Sequence, residues 1–506
     1  MNRNKQRCLS PIELKGCSSF YHHLMPHVRA TDMRSGLCEL IIKSHLTAKA
    51  YGIYCNHHYC NGGYDMRFYD REQELNALQK VHEQIHSASR LTVVTGRRRI
   101  GKTRLIKHFC EGRDNLYLFI SRKSEEVLCD EFMGYIEELF EHRSYGRVTR
   151  LIDIFRLLFD VGERRELIVV IDEFQELLQV NPGFFADFQN LWDSRKQGSR
   201  LHVIVSGSVY SMMHRLFMEY EQPLYGRADL MIRLKAFPIS TLAQILREEE
   251  VFSAENLLAA YIVSGAIPRY LEILRDARAL SKDSAVKLIF STYSVFADEG
   301  KNLLIEEFGR DYGVYFSILE LIACGKTSRV EIESILESGV GGHLERLEKD
   351  YSLITQCRPF NARPGSRSVN YKLDNPFLAF WFAFFHRYRS ALESSNTQYL
   401  KDRFREQYSQ FAGYWLERLF ADIYLQSGEY NRVSSYWESG FINKIDLVAV
   451  NDATKLMVLA EVKLQKKNIH KELLVQKASK LRAQYPDYRF DYRYLSLEDL
   501  NKAFKN

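Results

Sequence analysis

The chain has 506 residues, of which 46% are hydrophobic and 26% are charged, a composition typical of a globular protein with several domains. The formal net charge is +6, but residues 1–65 hold eight Lys and Arg against four Asp and Glu, so they contribute most of it. Net charge therefore indicates no particular partner. The longest apolar run, 377–385, has about half the length that a membrane-spanning helix needs. We expect buried packing there and no membrane association.

Residues 1–65 differ from the rest of the chain. They hold five of the nine cysteines and have weak periodicity, which predicts a leader of doubtful function, with Met66 as a sensible start. Four potential zinc ligands lie within six residues, too close together to surround one tetrahedral ion easily: Cys55, His57, His58 and Cys60. The remaining cysteines show no pairing pattern, and no charged-then-apolar secretory leader precedes them, which favours the cytoplasm.

A complete phosphate-binding loop follows the β-branched run 91–95 and opens a helix. Its glycines allow the backbone N–H groups to point inward, the lysine reaches the β- and γ-phosphates, and the threonine can bind Mg²⁺. The residues expected to bind the nucleotide are Gly96, Arg97, Arg98, Arg99, Ile100, Gly101, Lys102, Thr103 and Arg104.

A second apolar strand, 167–171, ends in two carboxylates about seventy residues later. Asp172 is placed to hold Mg²⁺ through water, and Glu173 is the expected general base for the water that attacks the γ-phosphate. Because switch-type GTPases generally lack the second acid, the pair favours ATP over GTP. The predicted cofactors are therefore ATP and Mg²⁺.

Strands and helices alternate from 66 to 237, which predicts an α/β domain with a doubly wound parallel sheet. The expected strands are 91–95, 116–120, 167–171, 201–205 and 230–234. Ser206 or Ser208, at the end of the fourth strand, could contact the γ-phosphate. Arg227, before the fifth strand, is expected to offer a cation at the same edge of the sheet.

Five segments resemble the archaeal-type ATPase family, a member of the STAND group of AAA-like P-loop ATPases. They are the segment 68–75, the triple-arginine loop, 171–174, 224–227 and 265–271. The resemblance implies that Gly265 and Pro268 link the nucleotide base to a helical lid, and that Arg227 senses phosphate. An ordinary helix stop is the alternative explanation for Gly265 and Pro268.

Two further regions separate this ATPase core from the C-terminus. Residues 238–310 have helical periodicity and are the expected lid. Residues 311–375 read as three helices and two strands, which predicts a winged helix, followed by a helical connector at 376–407. The third helix of the winged helix carries mixed charges, although the tip between its strands offers Arg358, Arg363 and Arg367. Docking of a protein partner is therefore favoured over direct reading of DNA.

Residues 408–506 resemble the DUF234-like PD-(D/E)xK nuclease core, with a helix, three strands and a long basic helix from about Asn468. Asp446 and Glu461 would bind a divalent cation, Lys463 would orient the hydrolytic water, and Glu417 would add a metal ligand. Surface charges on a domain that only docks a partner are the alternative.

The sequence thus predicts a cytoplasmic, Mg²⁺-dependent ATPase switch coupled to a nuclease-like effector that acts on DNA or another nucleic acid. The alternative is a regulatory ATP-binding protein whose C-terminal domain docks a partner without cleavage. Either form could be an oligomer. A small-molecule kinase is disfavoured because no acceptor-binding insert is evident.

Overall fold

The computed structural model describes residues 67–140, 146–309, 312–362, 369–438 and 442–504. The predictions made for residues 1–65, for a start at Met66, and for Arg363 and Arg367 lie outside these ranges.

The described residues before 238 form the predicted α/β domain around a parallel five-stranded sheet, in the order β2-β3-β4-β1-β5. Its strands are β1 (Arg90–Thr95), β2 (Asn115–Phe119), β3 (Leu167–Asp172), β4 (Leu201–Gly207) and β5 (Leu230–Arg233). Every residue of β3 and β4 is buried, because helices cover both faces of the sheet. The doubly wound fold predicted from alternation is therefore present.

One helix precedes β1, and the others lie between the strands. They are α1 (Glu72–His82), α2 (Lys102–Cys110), α3 (Glu125–Phe140), α4 (Leu151–Arg164), α5 (Leu177–Val180), α6 (Phe184–Arg195) and α7 (Tyr210–Met218). Alternate residues of β1 face opposite sides. Val93 packs in the cluster that contains Leu158 of α4 and Phe188 of α6, whereas Val94 packs with Leu78 of α1 and Leu105 of α2.

The predicted lid consists of helices joined by turns and short irregular segments. Its helices are α8 (Ile239–Glu248), α9 (Ala254–Ser264), α10 (Pro268–Asp276), α11 (Lys282–Ile289) and α12 (Glu299–Phe308). Gly265 ends α9 in the left-handed conformation, and Pro268 is the first residue of α10, where a missing N–H costs nothing. The chain can therefore turn sharply between these two helices.

The next module has the predicted order of three helices and a strand pair. It comprises α13 (Tyr312–Ala323), α14 (Arg329–Leu336), α15 (Gly341–Lys349) and the antiparallel strands β6 (Ile354–Cys357) and β7 (Asn370–Leu373). Ser328 caps α14 in a reciprocal capping box with Glu331, which fixes the start of this helix. We call residues 312–373 the helix-hairpin module.

The apolar run 377–385 is buried, as expected, in α16 (Pro376–Trp381) and a π-helical turn (Phe382–His386). After α17 (Arg389–Glu393), α18 (Thr397–Gln426) is one helix of 30 residues. The predicted boundary between connector and C-terminal domain, at 407 and 408, therefore falls inside a continuous helix. Residues 397–504 are called the C-terminal module below.

The C-terminal module has a sheet in the order β11-β10-β9-β8 within the described ranges. Its elements are β8 (Arg432–Tyr436), β9 (Ile445–Asn451), β10 (Leu456–Val462), α19 (Lys471–Lys477), α20 (Ser479–Gln484), β11 (Arg489–Leu495) and α21 (Leu497–Ala503). The predicted long basic helix is wrong, because two short helices are followed by a strand. Alternating polar and aromatic residues in β11, parallel to β10, were the missed signal.

Among the described residues, no single helix is long and apolar enough to cross a membrane. One pair, Ala254–Ser264 with Pro268–Asp276, meets the length and composition criteria together, but it bends by 120° at the break.

Candidate nucleotide site and C-terminal charge cluster

The phosphate-binding loop joins the end of β1 to the start of α2. Gly96 and Gly101 have φ angles of 149° and 95°, which residues other than glycine rarely adopt. A Cβ on Gly96 would also lie 2.8 Å from the carbonyl oxygen of Leu234. Both glycines are therefore required by the backbone path, as the sequence predicted.

Lys102 is folded back into this loop. Its ammonium group donates to the carbonyl oxygens of Gly96 and Arg97 at 2.8 and 3.2 Å. Burial lowers the pKa of Lys102, although the carboxylates of Glu173 and Asp172 oppose that effect. The ammonium thus lies within the loop, close to where the loop's N–H groups would receive phosphate.

Asp172 is the centre of a hydrogen-bonded group at the carboxyl edge of the sheet. The Thr103 hydroxyl donates to its Oδ2 at 3.1 Å, Ser206 donates to Oδ1, and Tyr117 donates to Oδ2. Burial, together with the charge of Asp172, raises the pKa of Tyr117 well above its usual value. Tyr117 was missed by the sequence analysis, because nothing in a lone strand tyrosine indicates where its hydroxyl ends.

Glu173 has partners different from those of Asp172. Its backbone is left-handed, with φ of 55°, and its Oε2 accepts from Gln175 Nε2 at 2.5 Å and from Ser208 Oγ at 2.8 Å. The neighbouring carboxylates therefore point to separate donors, so each can have a separate role. Gln175 is fully buried and was not anticipated from the sequence.

Pro268 lies beside the phosphate loop, with its Cγ 3.9 Å from the position that a Cβ on Gly101 would take. A small cavity is lined by Ile100, Gly101 and Arg104 of the loop region, by Pro268 of the lid, and by five residues that the sequence analysis did not assign to the site. These are Arg67, Phe68, Tyr69, Arg71 and Phe237. The Phe68 ring stacks on His108 with centroids 4.2 Å apart. Gly265 and Pro268 thus form a helix stop that also brings the lid to the loop.

Two arginines of the loop point to other modules and away from the site expected for them. Arg97 donates to the carbonyl oxygen of Ser352 in the helix-hairpin module, and Arg99 forms an ion pair with Glu299 at the start of α12. The Tyr270 hydroxyl donates to the same Glu299 carboxylate at 2.6 Å. These guanidinium groups connect the loop to the lid and to the helix-hairpin module, and nucleotide binding by Arg97 and Arg99 stays a prediction.

The prediction for Arg227 is wrong in its position. Because β5 is parallel to β1 and begins opposite Thr92, residues before β5 lie at the amino edge of the sheet, across from the phosphate loop. The contact of Asp229 with the start of β1 confirms this placement. Arg227 instead pairs with Asp193 of α6, at 2.7 Å between Nη2 and Oδ2.

The predicted residues of the C-terminal module do come together, but with lysines between them. Lys463 Nζ lies 3.0 Å from both Asp446 Oδ2 and Glu461 Oε1. Lys444, which the sequence analysis did not single out, lies 2.7 Å from Glu417 Oε2 and 2.9 Å from Asp446 Oδ1.

The metal site predicted at Glu417, Asp446 and Glu461 stays a prediction, and in this structure lysine ammonium groups lie between these carboxylates. Nowhere in the described parts of the chain do three His, Cys, Asp or Glu side chains form a group that could hold a metal ion. Burial and the charge of Asp446 raise the pKa of Glu417 to about 7. Burial alone would raise the pKa of Asp446, but the ammonium groups of Lys444 and Lys463 bring it below its usual value.

A parallel sheet with a glycine-framed phosphate loop, a buried lysine and a paired Thr103 and Asp172 defines a P-loop nucleotide-binding ATPase. Residues 68–274 match the family described as an ATPase domain predominantly from Archaea, so this part of the chain is a domain of that family. Residues 381–477 match a second family, archaeal and bacterial proteins of unknown function.

Two relatives are uncharacterized proteins of Methanocaldococcus jannaschii. One is 26% identical over 409 residues, which are 78% of this chain and 87% of that protein. The other is 31% identical over 84 residues, which are 17% of this chain and 78% of that protein.

Among solved structures, the Walker-type ATPase of Pyrococcus abyssi is similar with a TM-score of 0.48 and 24% identity, covering 62% of this chain and 96% of that one. The ORC2 protein of Aeropyrum pernix, solved in ADPNP and ADP complexes, has a TM-score of 0.42 and 15% identity, covering 67% and 97%.

Proposed function

We propose that the protein is an ATP-hydrolysing switch whose nucleotide site controls how the lid and the helix-hairpin module lie on the ATPase core. The observation that carries the proposal is the convergence of Lys102, Thr103 and Asp172 at the carboxyl edge of the sheet. A phosphate-binding ammonium and two oxygen ligands at this place are what hydrolysis of a nucleoside triphosphate requires.

The residues fit Mg²⁺, since the Thr103 hydroxyl lies 3.1 Å from a carboxylate oxygen of Asp172, and both are oxygen ligands. When bound, Mg²⁺ neutralises charge on the phosphate oxygens. Lys102 adds a second positive charge at the phosphates once it exchanges the carbonyl oxygens of Gly96 and Arg97 for them. Glu173 accepts the proton of the attacking water.

The switch itself is supported by the arginines of the loop. Arg97 reaches Ser352, and Arg99 reaches Glu299, so a change in the loop's conformation is transmitted to both modules through one short segment. Binding of a nucleotide that moves this segment would weaken or strengthen these contacts. We infer that the helix-hairpin module is a winged helix used for docking a partner.

For the C-terminal module, the lysines between its carboxylates favour the non-cleaving alternative. Lys444 and Lys463 neutralise Asp446 on both sides, so the carboxylate is not free to serve as a ligand or base. We propose that this module binds a partner, with DNA or another nucleic acid as the first class to test, and that it does not cut it.

The ATPase assignment is tested with two substitutions in the purified protein. Lys102→Ala should abolish tight ATP binding, because it removes the charge that meets the phosphates. Glu173→Gln should keep binding and lose turnover by about 100-fold or more, because only the base is removed. Binding is measured by titration with a fluorescent ATP analogue, and turnover by phosphate release with and without Mg²⁺. Hydrolysis at the wild-type rate in Glu173→Gln would show that another group is the base.

A second experiment distinguishes a binding module from a nuclease in the C-terminal module. The protein is incubated with Mg²⁺ or Mn²⁺ and with labelled RNA or labelled single-stranded, duplex or branched DNA. Retardation of the nucleic acid on a gel without cleavage supports the binding module. Cation-dependent cleavage that Asp446→Ala removes, with ATP hydrolysis retained, would establish the nuclease in its place.

A further inference from the structure

Six charged side chains of the C-terminal module form a continuous row in which acids and lysines alternate. The order is Glu417, Lys444, Asp446, Lys463, Glu461 and Lys477, with each neighbouring pair between 2.7 and 3.0 Å apart. We call this set the charge row. Its residues come from α18, from β9 and the turn before it, from β10 and the turn after it, and from α19.

The antiparallel pairing of β9 and β10 fixes the middle of the charge row. The backbone N–H of Val462 donates to Asp446 Oδ2 at 3.0 Å, so the start of β9 is held against the end of β10. Because Glu461 and Lys463 point to the same face of the strand, both reach the Asp446 side. The position of Asp446 is therefore set by the backbone as well as by its lysine partners.

Burial differs between the two kinds of side chain. The Asp446 and Glu461 side chains are 4% and 10% exposed, whereas Lys444 and Lys463 are 38% and 36% exposed. The carboxylates thus lie beneath the ammonium groups, and a ligand that approaches from solvent meets positive charge first. Buried carboxylates are strongly destabilising without partners, and here each has a lysine within hydrogen-bond distance.

Lys444 lies where a divalent metal ion would have to bind. Its ammonium lies between oxygens of Glu417 and Asp446, the two acids that come from different elements, α18 and β9. A divalent ion bound by these acids would use the same oxygens and would have to displace Lys444. We propose that Lys444 is a built-in cation that takes the place of a divalent metal ion, so that the C-terminal module binds its ligand without metal. This proposal goes beyond the proposed ATPase function and does not depend on it.

The test is the binding of Mn²⁺ to the full chain without nucleotide, measured by electron paramagnetic resonance of free Mn²⁺. Lys444→Met removes the ammonium and nearly keeps the side-chain length, Lys444→Arg keeps the positive charge, and Asp446→Asn removes the central ligand. Any Mn²⁺ bound at the phosphate loop is common to all of them and cancels. The wild type, Lys444→Arg and Asp446→Asn should therefore bind equal amounts.

Lys444→Met should gain one Mn²⁺ site, at least about tenfold tighter than any site that the wild type has in this module. Lys444→Met combined with Asp446→Asn should lose it again. A second measurement is thermal unfolding, in which Mn²⁺ should raise the Tm of Lys444→Met by more than it raises the Tm of Lys444→Arg or of the wild type.

A wild-type Mn²⁺ site that disappears in Asp446→Asn would overturn the proposal, and so would a folded Lys444→Met variant that gains no site. Should Lys444→Met fail to fold, the comparison of the wild type with Asp446→Asn still decides the matter. ATP hydrolysis by the wild type, measured in parallel, tests the phosphate loop. Its absence would contradict the proposed ATPase function and would not bear on the role of Lys444.

Discussion

Asp172 and Glu173 are adjacent in sequence, yet the backbone turns between them and gives each its own donors. Asp172 ends β3 and is bonded to Thr103, whereas Glu173 takes a left-handed φ of 55° and turns toward Ser208. A non-glycine residue in this conformation is strained and often occurs at functional sites. The different directions of the two carboxylates thus depend on one backbone angle.

A buried histidine in β4 gives a prediction at the same scale. His202 is fully buried, with Nε2 2.9 Å from Thr92 Oγ1 and its ring stacked on that of His82. Burial, with smaller contributions from the charges of His82 and Arg113, lowers the pKa of His202 to about 3. The unfolded chain therefore binds the proton at a higher pH than the folded protein does.

Because the pKa of His202 is lower in the folded protein than in the unfolded chain, the protein loses stability as the pH falls. The stability contributed by neutral His202 is complete above the unfolded pKa of about 6.5 and is lost as the pH falls toward 3. On going from about pH 7.5 to about pH 5.5, the wild type should lose about 1.4 kcal/mol more unfolding free energy than His202→Gln does. Urea denaturation of both proteins at both pH values measures this difference in unfolding free energy. Equal losses in the two proteins would show that His202 is protonated normally when folded.

At the scale of elements, an ion pair between Arg99 and Glu299 connects the phosphate loop to the first turn of α12. Arg99 is 37% exposed, whereas Glu299 is only 6% exposed and also accepts from Tyr270. A buried carboxylate with two donors is costly to leave unpaired, so the loop and the lid should be energetically coupled.

A double-mutant cycle tests this coupling. Arg99→Gln, Glu299→Gln and the double variant should give an interaction free energy of unfolding of about 0.5–3 kcal/mol. The matched control is the exposed pair Lys349 and Glu345 in α15, for which we expect a much smaller interaction because solvent screens both charges. A value for the loop pair no larger than that of the control would contradict a mechanical link. The same cycle, repeated with saturating ATP, shows whether the nucleotide alters the coupling.

The elements themselves differed in how well the sequence predicted them. Strands of the ATPase sheet are apolar runs bounded by turn residues, and their positions agree with the structure within two residues. In contrast, β11 alternates charged and aromatic residues and is only half-buried, so it lacks the continuous apolar run that marks the strands of the ATPase sheet. Local patterns identify an element when it is buried on both faces, and they weaken at the edge of a sheet.

At the scale of the whole molecule, the described residues share one continuous apolar cluster from the ATPase core to the C-terminal module. Its members include Val94 of β1, Leu257 of the lid, Leu319 of the helix-hairpin module, and Trp415 of α18. Further contacts join the lid to the end of the chain. The Ala254 N–H donates to Asn501 Oδ1 at 2.7 Å, and the Tyr261 ring meets Trp415 edge to face.

The C-terminal domain as bounded from the sequence should therefore not fold by itself. A fragment of residues 408–506 would cut α18 and expose the apolar side chains of Trp415 and Leu416, which are buried in the full chain. We expect aggregation or a non-cooperative thermal transition, measured by circular dichroism, because the buried face has lost its cover. A chain that begins at Met66 is the control and should unfold cooperatively. A cooperative transition in the fragment would show that the module is an independent domain.

The sequence by itself determined the parts in which chemistry depends on neighbours along the chain. The phosphate loop with Lys102 and Thr103, the carboxylates that end β3, and the order of strands and helices all depend on local spacing. Tertiary structure decided what depends on residues far apart. It placed Arg227 at the opposite edge of the sheet, because the direction of β5 is fixed only by pairing with β1. It also inserted Lys444 between Glu417 and Asp446, since only the packing of α18 on β9 brings these three charges together.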